Sequence, residues 1–359
     1  MSPKAVGHNN ASPMRRAGPL IAAALAATLA VPMLLGGRAA LWQALEFSVR
    51  GYAVLFGVIA VSWFARAAKI QLLLRRLGTR SRFGTLFLIS LASDFAFIST
   101  PGGIGGYAAG VFYLRRAGAS TSSAATITAA DQLLDWAFFA LALPLAGLAM
   151  FRSDIPAILS WLAFGTSALM LALGAAAVIA RRRVGAWLFN DNAVVRRWPR
   201  LRRHQQLLRE FFVSLERQAG VLLGGGRGFL SAMLLLCGLQ WLARYGVLWI
   251  ALYLLGHKVS FALTLLMQSL VLHAAMWTGV PSGGGGAELG LTAALAAWVP
   301  AEALATALLL WRVATLYICL IAGGIAIALL ARTSHGHATA APAPSPATAT
   351  HDETLEDAA

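Results

Sequence analysis

Charged residues are scarce in this chain of 359 residues, since Asp, Glu, Lys and Arg together make up 12% of it against 58% apolar residues. A soluble domain carries about 25% charged residues, roughly twice that share. So few charges cannot cover the surface of a soluble protein of this length. The composition therefore excludes a soluble globular protein and predicts a surface that faces lipid.

Cysteine and acidic residues are also few. Only Cys237 and Cys319 occur, both within apolar segments, which excludes a disulfide framework and a cysteine metal site and suggests packing roles. The 14 acidic residues against 29 basic residues give a net charge of +15. Because the basic residues cluster by loop and not along one face, they favour membrane topology over nucleic-acid binding. No metal, cofactor or nucleic acid is predicted.

Long apolar runs are what the sequence has in abundance. About 20 residues of helix cross the hydrocarbon core of a bilayer, and barrel strands would alternate apolar and polar residues instead. Backbone groups within a bilayer must also be satisfied internally. The sequence therefore predicts an all-α fold, a polytopic helical membrane protein with about six full spans. The runs of spanning or near-spanning length are 20–35, 51–65, 137–151, 155–180, 229–255 and 303–330.

The two ends of the chain differ from its middle. Basic residues precede the first apolar run without a cleavage site beyond it, which predicts an uncleaved first span. We expect residues 1–18 to be a cytoplasmic segment and residues 19–332 to form the transmembrane domain. Residues 333–359, rich in Ala, Pro and Thr, are predicted to be a disordered cytoplasmic tail. The predicted location is the inner membrane of a bacterial cell.

Basic loops indicate the orientation, because Lys and Arg mark the cytoplasmic side. Basic residues from Arg66 and Lys69 to Arg82 place the second loop in the cytoplasm. The segment 181–228 carries eleven arginines against three acidic residues and is predicted to be a cytoplasmic linker.

The segment 83–116 has basic, cytoplasmic flanks at both ends, which a single crossing cannot have. In its middle, STPGGIGG at 99–106 places a proline and four glycines, which would break a helix. The sequence predicts a re-entrant helical hairpin that enters and leaves on one side. Non-helical backbone at that depth needs cover from protein or a water-filled cavity, so the break also predicts a cavity.

Two parts of the chain resemble each other. WFARAAKIQLLLRRLG at 63–78 aligns with WLARYGVLWIALYLLG at 241–256 at an offset of 178. TPGGIGG at 100–106 aligns with VPSGGGG at 280–286 at an offset of 180. The loop charges make repeat A, about 50–180, and repeat B, about 229–330, run in opposite directions. This predicts an inverted repeat with a second re-entrant hairpin at 261–299, a plan typical of alternating-access transporters.

Ionisable residues inside apolar segments are the candidates for function, because burying them in lipid is costly. A helix that begins after each break would point its amide end at the membrane centre and attract an anion. Nearby arginines then predict a phosphate-bearing lipid headgroup, with aspartates balancing the arginines or binding an amino group. No catalytic residue is predicted. The predicted headgroup site comprises Asp94, Pro101, Gly102, Gly103, Gly105, Asp131, Asp135, Arg244, Pro281, Gly283, Gly284, Glu288 and Arg312.

Simpler interpretations stand beside this one. The charges could pair with one another and lock the bundle, and the glycines could be close-packing points between helices. Arg66 and Arg244 lie nearer span ends and could extend their side chains to the membrane surface, an interpretation favoured over ligand contact for Arg66. His273 could be a packed or loop-facing histidine.

Four motifs resemble those of the lysylphosphatidylglycerol synthase transmembrane, or flippase-like, family. They are TPGGIGG with YLRRAGAS at 113–120, DQLLDW at 131–136, VPSGGGGAELGL at 280–291 and LLWRVATLY at 309–317. The resemblance implies a multi-spanning lipid flippase module without the soluble aminoacyl transferase domain of larger relatives, so lysyl transfer by this chain alone is not expected.

The resemblance also implies roles for single residues. Glu288 and Arg312 match the acidic and arginine positions of the family, and Asp135 matches the aspartate of an ER-x-x-D-like motif. Two departures put the headgroup preference in doubt. Gly106 stands where many relatives have glutamate, and Asp131-Gln132 replaces Glu-Arg.

The leading functional hypothesis is transport, in which a lipid with an anionic or zwitterionic headgroup passes between leaflets through a cavity between the hairpins. Phospholipids, aminoacylated phospholipids and polyprenyl or hopanoid-type lipids are all candidates, and no oligomeric state is predicted. One alternative is an accessory protein whose segment 181–228 binds a lipid-synthesising enzyme. A remote alternative is an intramembrane enzyme that uses the paired aspartates or Ser282 with His273, but the expectation is that the chain is not an enzyme.

Overall fold

The structure is a computed structural model that describes residues 13–189 and 199–338. Within these ranges the chain is helical and contains no strand, which confirms the predicted all-α fold. Short 3-10 turns at Pro101–Gly103 and Pro281–Gly283 and a π-helical turn at Val313–Tyr317 interrupt the helices. The helices are α1 (Pro13–Leu45), α2 (Val49–Arg76), α3 (Phe83–Ser99), α4 (Ile104–Arg116), α5 (Thr121–Met150), α6 (Ala157–Phe189), α7 (Pro199–Leu223), α8 (Gly226–Leu254), α9 (Phe261–Trp277), α10 (Gly286–Leu295), α11 (Ala301–Arg312) and α12 (Ile318–Ala338).

Six helical stretches of the described residues are long and apolar enough to cross a membrane, and they correspond to the six predicted runs. The protein is therefore a multi-pass integral membrane protein. Five of the stretches are longer than predicted, because the helix continues past the apolar run into sequence that includes charged residues. The six stretches are Ala22–Leu45, Val49–Arg76, Thr121–Met150, Ala157–Ala176, Gly226–Leu254 and Ala301–Arg332.

Parts of the predicted domain plan fall at or beyond the ends of the described residues. Of the predicted cytoplasmic segment, residues 1–12 lie outside them, and α1 begins at Pro13. α12 ends at Ala338, within the segment predicted to be a disordered tail, and 339–359 lie outside. In the predicted linker 181–228, α6 extends to Phe189 and α7 begins at Pro199, so 190–198 lie outside.

Two hairpins of shorter helices stand among the long spans. The 3-10 turn at Pro101–Gly103 joins α3 to α4, and the turn at Pro281–Gly283 leads from α9 to α10. α3 and α9 have 17 residues each, fewer than the roughly 20 that cross a bilayer. The two turns contact each other, and three of their residues, Gly103, Pro281 and Gly283, are buried. The tips therefore meet inside the protein, while re-entry into a membrane stays a prediction.

The tips turn through backbone conformations that glycine favours. Gly102 has φ 61° and ψ 10°, and Ser282, its counterpart at an offset of 180, has φ 54° and ψ 10°. Glycine adopts this left-handed conformation without a steric penalty, whereas a serine there is strained. Among the described residues Ser282 is the one non-glycine residue with positive φ. The predicted breaks are therefore local conformations that the two copies share.

Close packing of α3 against α4 requires a glycine at position 106. A Cβ atom placed on Gly106 would lie 2.6 Å from Cβ of Phe97 and 3.0 Å from the carbonyl oxygen of Ser93. Real Cβ atoms do not approach neighbours this closely, so the two legs of the first hairpin could not lie so near each other with a larger residue. Gly106 is thus a packing residue, as one of the simpler interpretations held.

The matched helices of the predicted repeat, α2 and α8, pack side by side. Their contacts run in opposite order, because Arg66 lies near Arg244 at Asp94 whereas Arg76 lies over the ring of Phe229, at the start of α8. The two helices are therefore antiparallel. An inverted repeat requires this relative direction, and the inversion across a membrane stays a prediction.

Candidate functional site

Six ionisable side chains from α2, α3, α5 and α8 form one ion-paired group in the interior, here called the central cluster. Its members are Arg66, Lys69, Asp94, Asp131, Asp135 and Arg244. The cluster holds three cations and three carboxylates, so its formal charges cancel. Charged side chains within membrane-spanning helices are costly to bury, and pairing each cation with a carboxylate lowers that cost.

Asp94 joins the two matched helices. One oxygen of its carboxylate accepts a hydrogen bond from Arg66, and Oδ2 accepts one from Nη1 of Arg244 at 2.9 Å. Asp94 is 4% exposed, and both arginines are largely buried. A single carboxylate on the first hairpin therefore links an arginine of repeat A to the arginine of repeat B that aligns with it.

Lys69 is fully buried and holds the other two aspartates. Its Nζ lies 2.6 Å from Oδ1 of Asp131 and 3.1 Å from Oδ1 of Asp135. Asp135 also accepts hydrogen bonds from Nε1 of Trp241 at 2.7 Å and from Sγ of Cys237 at 3.3 Å. Cys237 is therefore more than the packing residue that the sequence suggested.

The placement of Arg66 and Lys69 in a cytoplasmic loop was wrong. α2 continues to Arg76, and both side chains point into the protein, where carboxylates of α3 and α5 compensate them. Arg66 therefore does not extend to the membrane surface. Arg66 and Lys69 are three residues apart and so share a helix face. This spacing, set against the Asp131 and Asp135 pair, is a signal that could have identified them.

Outside the central cluster, a separate ion pair joins Glu288 to Arg312. Glu288 is fully buried in the first turn of α10 and accepts a hydrogen bond from Nε of Arg312, which is 4% exposed. The π-helical turn follows Arg312 directly, and such turns are frequent at functional sites. The amide end of α10 thus has a carboxylate of its own, and in the first hairpin Thr100 Oγ1 accepts from the amide of Gly105 at 2.9 Å. The helix ends are therefore less free for an anion than the sequence predicted.

A cavity of about 310 Å³ lies between the hairpins and the helices around them. Three guanidinium groups and two carboxylates face it, from Arg66, Asp94, Asp135, Arg244 and Arg312. Its remaining lining is mostly aromatic and amide side chains. These side chains include Phe97, Tyr107, Gln132, Trp136, Phe139, Gln240, Trp241, Tyr245, Gln268, His273 and Trp311, and Ser282 also lines the cavity.

The predicted site residues fall into three groups. Asp94, Asp135, Arg244 and Arg312 line the cavity, and Asp131 and Glu288 contact cavity-lining arginines from behind. The remaining predicted residues belong to the tips and do not line it, although the neighbouring Gly106 and Ser282 do. The tip residues are Pro101, Gly102, Gly103, Gly105, Pro281, Gly283 and Gly284.

Three residues that line the cavity carry buried polar atoms without a hydrogen-bond partner in the described part of the chain. They are Nε of Arg66, Nη2 of Arg312 and Oε1 of Gln240. Buried polar groups are nearly always paired in folded proteins, so each such atom calls for an explanation. Two donors and one acceptor beside one cavity are groups that water or a polar ligand in the cavity would satisfy.

Sequence reasoning missed several polar residues of the cavity. The hydroxyl of Tyr107 donates to Oε1 of Gln132 at 3.0 Å, and Nδ1 of His273 donates to the carbonyl oxygen of Ser269 at 2.6 Å. In the described hydrogen bonds, Ser282 and His273 are not joined to each other. Gln132 carried a signal, since it stands where relatives have arginine, but the π-helical turn has no obvious mark in the sequence.

These features define a multi-pass helical membrane protein in which two broken-helix hairpins and the surrounding spans enclose an ion-paired polar cavity. Residues 15–323 match the family described as Lysylphosphatidylglycerol synthase TM region, and the chain belongs to this family. The match confirms the resemblance carried by the sequence motifs and makes the chain an integral membrane protein related to lipid handling. Among curated proteins, none matches the chain.

Proposed function

We propose that this protein moves a lipid with an anionic or zwitterionic headgroup between the leaflets of a bacterial inner membrane. The observation that carries the proposal is the cavity of about 310 Å³ that three arginines face within the membrane-spanning helices. One guanidinium group can donate two parallel hydrogen bonds to two oxygens of a phosphate. The candidate lipids are phospholipids, aminoacylated phospholipids and polyprenyl or hopanoid-type lipids.

The size of the cavity supports headgroup binding with the lipid tails outside. Small-molecule sites span about 300–1,000 Å³, so a cavity of about 310 Å³ accommodates a headgroup but not two acyl chains. Trp136 lines the cavity and is 42% exposed, so its side chain extends from the cavity to the outer surface of the protein. The headgroup would enter here while the tails stay in the bilayer.

The arrangement of the helices supports access from alternate sides. α2 and α8 run antiparallel, and the two hairpin tips contact each other beside the cavity. Rocking one repeat against the other is the common way in which such transporters change the open side. With both termini and segment 181–228 in the cytoplasm, the cavity would open first to one leaflet and then to the other.

The contacts of Asp131 and Asp135 argue against an intramembrane protease. An aspartyl protease needs two carboxylates that share a proton, whereas Asp131 and Asp135 both contact the ammonium group of Lys69. We therefore propose transport and not catalysis as the role of this chain.

A lipid exchange assay in proteoliposomes tests the proposal. Separate vesicle preparations carry a trace of phosphatidylethanolamine or of phosphatidylglycerol with a fluorophore on one acyl chain, and dithionite bleaches the outer leaflet. We expect nearly complete bleaching with the wild-type protein and about half in protein-free vesicles. Arg244→Gln and Arg312→Gln remove cations from the cavity and should slow exchange about tenfold or more.

Arg152→Gln is the matched control, because Arg152 is exposed and does not line the cavity. It should exchange lipid at the wild-type rate. Wild-type bleaching no greater than in protein-free vesicles, or unchanged exchange in both cavity variants, would overturn the proposal.

A further inference from the structure

We infer that the carboxylate of Asp94 occupies the place of a headgroup phosphate in the empty protein, and that a lipid binds by displacing it from Arg66 and Arg244. The inference rests on the proposed function and narrows its substrate class. The displaced carboxylate needs a new cation, which a headgroup with both a phosphate and an ammonium group supplies. The structure thus assigns a zwitterionic headgroup to this site.

In the Asp94 ion pairs, a ligand in the cavity can reach both the carboxylate and the two arginines. Asp94, Arg66 and Arg244 all line the cavity. In the pair of Glu288 with Arg312 only the arginine lines it, and Lys69 and Asp131 lie behind it. A phosphate in the cavity therefore contacts both arginines where they now contact Asp94.

The geometry around Asp94 suits such an exchange. Each of its two oxygens accepts from a different guanidinium, as two oxygens of a phosphodiester would. Nε of Arg66 is buried without a partner among the described residues, so a larger anion with more oxygens would satisfy it as well. Asp94 therefore pairs with both arginines but leaves this donor of Arg66 unused.

The repeat explains why one carboxylate serves two arginines. Arg66 and Arg244 stand at an offset of 178, and the residue at that offset from Asp94 is Leu272, which also lines the cavity. Repeat B therefore supplies a guanidinium but no second carboxylate at this place. The two arginines converge on one anion, and Asp94 is that anion when no ligand is bound.

The charge balance determines the ligand class. The central cluster carries equal numbers of positive and negative groups. A phosphodiester alone would add a negative charge and leave the carboxylate of Asp94 unpaired in a buried site, which is costly. A phosphodiester with an ammonium group adds no net charge, because the ammonium can pair with Asp94.

Binding of two short-chain lipids to the detergent-purified full chain tests the inference. Dihexanoyl phosphatidylethanolamine and dihexanoyl phosphatidylglycerol share the phosphodiester and differ in the ammonium group. Binding is followed by tryptophan fluorescence, since Trp136, Trp241 and Trp311 line the cavity. We expect the wild-type protein to bind phosphatidylethanolamine about tenfold more tightly, and Asp94→Asn to remove or reverse that preference by tightening phosphatidylglycerol binding about tenfold.

Asp154→Asn is the matched control, because Asp154 is an exposed carboxylate outside the central cluster that does not line the cavity. It should keep the wild-type preference, and Asp94→Glu should restore it. Equal binding of both lipids by the wild-type protein, or the wild-type preference in Asp94→Asn, would overturn the inference.

If Asp94→Asn fails to fold, a charge-balanced double variant takes its place in the binding test. The double variant Asp94→Asn with Arg244→Gln should bind phosphatidylglycerol more tightly than Arg244→Gln alone, because Arg66 is then released from Asp94. Equal affinities would contradict the inference. Its failure is distinct from that of the proposed function: wild-type lipid exchange without a preference change rejects displacement alone, whereas a preference change without exchange rejects transport alone.

Discussion

At the scale of single residues, Lys69 shows how the fold depends on charge compensation. It is the largest of the fully buried side chains by volume, and it is also a cation. Its two aspartate partners lie one turn apart on α5. The ammonium group is therefore held by a pair of carboxylates that would themselves be uncompensated without it.

Replacing Lys69 should destabilise the protein strongly. Removing one partner of a buried ion pair costs about 3–5 kcal/mol, so Lys69→Met should lower the thermal unfolding temperature in detergent. Adding Asp131→Asn should recover part of the loss, because one uncompensated carboxylate is then removed. Lys258→Met, which replaces an exposed lysine, is the control and should unfold with the wild type. Equal unfolding temperatures for the two single variants would contradict the prediction.

Ser282 offers a second test, because its strain can be relieved. Left-handed backbone costs an L-residue about 1–2 kcal/mol relative to glycine, so Ser282→Gly should raise the unfolding temperature. Gly102→Ser, at the matching position of the other tip, should lower it by a similar amount. Opposite shifts in the two variants, measured by thermal unfolding, are the expected outcome, and shifts of the same sign would show that the tips differ.

At the scale of elements, the first hairpin depends on the close approach of its two legs. A valine at position 106 would overlap Cβ of Phe97, and overpacking of this kind costs about 1–3 kcal/mol. Gly106→Val should therefore lower both the unfolding temperature and the rate of lipid exchange. Gly84→Val is the control, since Gly84 is exposed on α3 with open space around its Cα. A control that is as damaged as Gly106→Val would refute the packing argument.

Composition and breaks made most of the helices predictable from sequence. Spans follow from apolar length, and the tips follow from proline and glycine, which act locally on the backbone. Four of the six members of the central cluster were predicted, because its three aspartates and Arg244 stand out in apolar sequence. Arg66 and Lys69 were missed, because they lie beside a basic loop and look like part of it. The π-helical turn after Arg312 depends on packing and leaves no such local mark.

At the scale of the whole molecule, the predicted topology can be tested by labelling. Cys237 and Cys319 are both buried, so the wild-type chain should react little with a membrane-impermeant maleimide. Single cysteines replacing exposed Arg80 and Arg116 should label from the cytoplasmic side, because a hairpin returns to the side it left. Arg152 and Lys258 are exposed and follow α5 and α8, each one crossing beyond a predicted cytoplasmic segment, so cysteines there should label from the other side. Labelling of positions 80 and 116 from opposite sides would exclude the hairpin.

The meeting of the two tips has a consequence for the membrane as a barrier. If the two hairpins enter the membrane from opposite sides, as predicted, the barrier between the two aqueous compartments is thinnest where Pro101–Gly103 contacts Pro281–Gly283, a pair of three-residue turns. Elsewhere in that arrangement the barrier would be as thick as a full membrane-spanning helix. We therefore expect a substitution that separates the two turns to leave the spans folded and to increase the leak of small ions across the membrane.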